Sequence, residues 1–83
     1  MILVEREPTI DERNAIQDAM MLGDINPTAR LNATLWVVVA ESNKYVVVRI
    51  AKATWVILGK GKMHRIRWCD GALPLDNLHQ IMI

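Results

Sequence analysis

Residues 34–68, TLWVVVAESNKYVVVRIAKATWVILGKGKMHRIRW, decide the fold. Four runs stand out in them: LWVVVAE, KYVVVRIA, TWVIL and MHRIRW. They are dense in Val, Ile, Thr, Tyr and Trp, whose branched or planar side chains pack well on a pleated surface. Turn chemistry separates them: Ser42 and Asn43, a tight bend at Lys52, and Gly59 to Gly61, read as a two-residue hairpin turn. Connections this short join antiparallel neighbours. The stretch therefore predicts a meander with strands over 34–41, 44–51, 54–58 and 63–68.

Side chains on a strand alternate between faces. In the second run Val46, Val48 and Ile50 share one face, and Tyr45, Val47 and Arg49 the other. In the fourth, His64, Ile66 and Trp68 alternate with Met63, Arg65 and Arg67. The pattern predicts a core face and an opposite, cationic face.

Toward the N-terminus, Met1 to Val4 is either a short strand or an apolar tail against the core, and Pro8 breaks what precedes it. Thr9 followed by Glu12 has the spacing of a capping box, in which hydroxyl and carboxylate each accept from a free backbone N–H of a helix start. A helix is expected over 10–22, with an apolar stripe of Ile16, Ala19 and Met20 and with Ile10 and Ala15 at its margin. Gly23 supplies the left-handed backbone that ends many helices. Asn26-Pro27 fits the cap of a single helical turn through Arg30.

Beyond Trp68, Cys69-Asp70-Gly71 reads as a turn. The tail ALPLDNLHQIMI is either a closing helix over 75–81 or a 3₁₀ turn leading into a last strand, 80–83; the second is preferred. A leading helix, a meander with tight turns, a short 3₁₀ turn and a final strand are similar in outline to Sm-like and SH3-like small barrels. The chain lacks the acidic and Asn signature of the Sm-like proteins, and no glycine bends its second strand, so no family residue is carried across. The fold class expected is α+β, an N-terminal helix packed on an antiparallel four- to five-stranded meander, with an SH3/Sm-like barrel as its closed form and an open sheet as the alternative.

The 83 residues are expected to form one domain, 1–83, too small for an extensive core. A hydrophobic fraction of 52% is high for a free-standing domain of this size and favours a partner or self-association. One cysteine excludes an internal disulfide and suits a reducing compartment. The apolar start ends at Glu5, too soon for a signal peptide, and the run Leu35–Ala40 falls far short of a membrane span. The expectation is a soluble cytoplasmic protein, in which the sequon Asn32-Ala33-Thr34 is a chance match.

Net charge is only +1, yet it is divided along the chain. Residues 1–24 hold six acids against two arginines, whereas from Lys44 to Trp68 there are seven cations and no acid. An acidic helix is joined to a basic sheet.

Catalytic and metal chemistry finds little support in this sequence. His64, Cys69 and His79 match no zinc spacing, and Cys69 with either histidine and Asp70 carries no nucleophile signature. Gly59-Lys60-Gly61-Lys62 lacks the spacing and the following helix of a phosphate loop. No enzyme, metal or cofactor is expected. The strongest lead is the basic face, Arg49, Lys52, Lys60, Lys62, Arg65 and Arg67 with Tyr45 and Trp55 nearby. Arginines and rings on a sheet suit single-stranded nucleic acid, cations neutralising phosphates while rings stack on bases. The bland counterpart is that these cations only protect strand edges. A small non-catalytic module that binds a polyanion, most naturally nucleic acid, is the first reading. The alternative is an inhibitor or adaptor that docks on a larger protein complex, and a homo-oligomer is compatible with both.

Overall fold

The computed structural model describes residues 2–25, 33–61 and 66–71. In chain order these form β1 (Ile2–Arg6), α1 (Ile10–Met21), a 3₁₀ turn (Ala33–Leu35), β2 (Val37–Glu41), β3 (Tyr45–Ala51), β4 (Thr54–Gly59) and β5 (Ile66–Asp70). The strands make one antiparallel sheet in the order β1-β2-β3-β4-β5. The chain is thus an α+β domain with a helix on a meander. Its apolar start is a strand, and β1 and β5 lie at opposite edges, so the sheet is open and the barrel is corrected. The expected 26–30 turn and the 80–83 strand fall outside the described residues.

Helix α1 begins at the predicted capping box: Thr9 Oγ1 accepts from the Glu12 N–H at 3.2 Å, and Glu12 Oε1 accepts from the Thr9 N–H at 2.8 Å. It ends in a left-handed turn. Gly23 has φ 81°, its N–H donates to Met20 O at 3.2 Å, and the Asp24 N–H donates to Ala19 O at 2.8 Å. This pair of bonds satisfies carbonyls that the last helical turn leaves free. Between the caps, Glu12, Ile16 and Ala19 are buried, one stripe at helical spacing. Ile10 is exposed instead of flanking that stripe, because the inward position of the first turn is taken by Glu12.

The stripe packs on one face of the sheet. Ile16, Ala19 and Ile25 form a continuous core with Trp36, Val38, Val46, Val48, Ile50, Val56 and Leu58, and Val4, Ala15, Met20 and Trp68 pack at its border. Burying an aliphatic side chain of this kind contributes about 1.5–3 kcal/mol. The inward set predicted for the second run, Val46, Val48 and Ile50, is the centre of this layer.

Two boundaries differ from expectation by more than one residue. The first strand starts at Val37, after a 3₁₀ turn, because pairing with β3 runs out at Val37 opposite Arg49; Trp36 enters the core while Leu35 stays exposed. Cys69 and Asp70 continue β5 rather than turning. Opposite them stand Trp55 and Thr54, and Thr54 Oγ1 donates to Asp70 Oδ1 at 2.6 Å. The two-residue turn Lys52-Ala53 joins β3 to β4 as expected, but neither residue has positive φ. It is therefore not the twisted type I′ turn, and the ladder shifts register between Arg49 and Ala51.

Candidate functional site

Residues directly opposite in an antiparallel ladder share a face. Val37 pairs with Arg49, Arg49 with Trp55 and Trp55 with Cys69, while Ala40 pairs with Val47, Val47 with Ile57 and Ile57 with Arg67. These rows, with Tyr45 opposite Gly59, make up the face turned away from α1.

The middle of that face is apolar and buried: Ala40, Val47 and Ile57 form a second cluster against which Val39, Tyr45 and Trp55 pack. Val47 is 0% exposed. The face expected to be cationic is thus apolar at its centre. Val39 joins the cluster because β2 carries an extra residue between Val38 and Ala40 relative to β3, a bulge that locally breaks alternation.

Two arginines flank this cluster. Arg49 and Arg67 are exposed, two strands apart and two residues offset, so their backbones stand on a diagonal of about 12 Å. The Arg49 guanidinium carbon lies 6.0 Å from the centre of the Trp55 ring, within cation–π range. Trp55 is fixed in turn, its Nε1–H donating to Gly71 O at 2.9 Å. Tyr45 is half-buried at the other end of the cluster. Lys52 is exposed in the turn beyond Arg49 and Trp55.

Lys60 is not part of this arrangement. Its Nζ lies 3.0 Å from Glu41 Oε2, at the opposite end of the β3–β4 hairpin from Lys52. The Glu41 carboxyl is held below its ordinary value by its bond to Lys60, against an opposing effect of burial, and further by the charges of Lys60 and Arg6. Glu41 pairs with Val46, which puts it on the helix side, and Lys60 lines an open groove of about 470 Å³ there with Ile2, Val4, Glu41, Ser42 and Asn43. Lys62 and Arg65 lie outside the described residues. Of the predicted site, then, Arg49, Arg67 and Tyr45 share a face, Lys52 adjoins it and Lys60 does not.

On the strands beside the arginines, the split of charge along the chain becomes a split across the sheet. Asp11, Glu12 and Asp18 sit on α1, and register puts Glu41 and Asp70 on the helix side, opposite Val46 and Thr54. On the other face, β3, β4 and β5 present Arg49 and Arg67 with no carboxylate among the described residues.

Cys69 occupies the Trp55 row, half-buried. Burial, and then the neighbouring Asp70, push its thiol above the ordinary value, opposite to what an activated nucleophile needs. Among the described residues no three of His, Cys, Asp and Glu are placed to hold a metal, and no helix is long and apolar enough to cross a membrane; His64 and His79 are outside those residues.

One polar cluster escaped the sequence reading. Arg6 grips Glu12 with both nitrogens, Nη1 to Oε1 at 2.9 Å and Nη2 to Oε2 at 3.1 Å, and Glu12 is only 3% exposed. Burial pushes the Glu12 carboxyl up, but bonds from Arg6 and Thr9 outweigh it and hold it below the usual range. Arg6 Nη2 also lies 3.6 Å from Glu41 Oε2. A carboxylate six residues after an arginine, across Pro8, is the only signal that pointed there.

No family model matches the chain, and no curated protein or solved structure matches it.

Proposed function

We propose that the protein is a small non-catalytic binding module whose face opposite α1 engages single-stranded nucleic acid. The observation that carries this reading is the placement of Arg49 and Arg67 on one face with Trp55 and Tyr45, while the neighbouring carboxylates belong to the helix side. Because Val47 and Ile57 are buried, the strand follows the rim from Lys52 and Arg49 toward Arg67 instead of lying over the centre. Cations neutralise phosphates there, and the exposed edge of a ring supports a base.

Binding of random single-stranded RNA and DNA, measured against salt, tests the reading. Affinity is expected to fall steeply with salt, and Arg49→Ala and Arg67→Ala each to flatten the log–log slope by about 0.7 for a lost phosphate contact on a single strand. Absence of binding at low salt overturns it.

A second reading, a protein-docking inhibitor or adaptor, is favoured by the exposed Met21 and Leu22 at the end of α1 and the exposed Leu35. Capture of a protein from extract that survives nuclease and is lost in Met21→Lys is the result expected of it.

A further inference from the structure

Among the described residues β1 is an edge of the sheet, and the two edges are made differently. β5 exposes Arg67 and Asp70, charges of the kind that discourage pairing with another chain. The first half of β1 has no such guard. Ile2 is 69% and Leu3 70% exposed, and they point to opposite faces, since Ile2 pairs with Glu41 and Leu3 with Ala40. The register shift that twists this edge comes between Leu3 and Arg6, leaving Ile2 and Leu3 in regular register.

We infer that β1 is the self-association edge, pairing antiparallel with β1 of a second copy about a two-fold axis near Leu3. A two-fold axis perpendicular to the sheet keeps corresponding side chains on the same face, so Leu3 meets the partner's Leu3 on the face away from α1. Ile2 then meets the partner's Val4 on the helix side, beside the groove that both residues line. Covering both faces at this edge needs a strand that is apolar on both, as Ile2-Leu3-Val4 is.

Charge selects the same occupant. In this pairing the partner's Glu5 and Glu7, both exposed, run past Ile2 toward the β2–β3 turn, where Lys44 is exposed. The two-fold repeats that complementarity, and a net charge of +1 gives two copies little reason to repel. The product is a ten-stranded sheet with both arginine faces on one side. The inference stands independently of the nucleic-acid reading.

Sedimentation of the full chain over a range of concentrations tests it. Wild type is expected to move from monomer to dimer as concentration rises, and Leu3→Lys to shift the midpoint at least tenfold higher. The helical circular dichroism signal of Leu3→Lys should be unchanged, because the side chain is exposed. In a Cys69→Ser background, Leu3→Cys should form a disulfide-linked dimer on mild oxidation, and Asp18→Cys should not. A monomer at every concentration overturns the proposal, as does a dimer that Leu3→Lys leaves intact, or cross-linking that is equal at both positions.

Discussion

The guanidinium of Arg49 stands over the ring of Trp55, the residue directly opposite it in the next strand, at 6.0 Å. The indole is anchored by its N–H to Gly71 O, so the cation has a fixed platform. Arginine stacks on a ring as a flat, weakly hydrated cation, and lysine does not. Arg49→Lys is therefore expected to weaken binding of single-stranded nucleic acid while keeping the salt slope, whereas Arg49→Ala lowers both. Titrations at three salt concentrations separate the two outcomes; equal slopes for wild type and Arg49→Ala would remove Arg49 from the interface.

Glu12 makes acid the solvent condition to which the fold should be most sensitive. Its folded-state carboxyl is lowered, as is that of Glu41. The stability they contribute is complete above the unfolded carboxylate value of about 4.3 and is lost as pH falls through the lowered folded values. Melting temperature should hold between neutral pH and about 5 and then drop. Glu12→Gln should cost about 1.5–3 kcal/mol at pH 7, the range for hydrogen bonds to charged groups, and should shallow the acid limb. An acid limb identical to wild type would count against this role.

Burial on both faces predicts that truncations on either side are costly. Leu58→Ala, on the helix side, and Ile57→Ala, on the other, should each destabilise by about 2–5 kcal/mol in urea denaturation. A cost for Ile57→Ala within about 0.5 kcal/mol, the range of surface changes, would restore the open second face.

Gly23 turns the chain out of α1 with φ 81°, and a Cβ placed there would meet nothing within 4 Å. Gly23→Ala should therefore cost about 1–2 kcal/mol from the left-handed backbone alone. Gly23→Asn should cost less, since Asn tolerates that region.

Much of this architecture was legible because it is local. A capping box spans three residues, a hairpin turn two, and alternation needs only neighbours, so Thr9, Glu12, Lys52 and the inward set Val46, Val48 and Ile50 were readable in place. What was not legible depends on partners far along the chain. Nothing near Lys60 shows that Glu41 holds it, or near Glu12 that Arg6 encloses it. The bulge at Val39 has no glycine to mark it. Nothing beside Val47, which alternates with Tyr45 and Arg49, shows that Ala40 and Ile57 share its row. The candidate site suffered most, because a count of cations does not say which way each one points.

The side chain of Arg6 ties β1 to the first turn of α1 through Glu12 and reaches β2 through Glu41, which in turn holds Lys60 at the end of β4. Four alternating charges thus lace three strands to the start of the helix. Opening any one of these elements strands a charge in another, so they should breathe as a single cooperative unit. Amide deuterium uptake at Arg13, whose N–H bonds to Thr9 O, should then keep pace with uptake along the β1–β2 ladder.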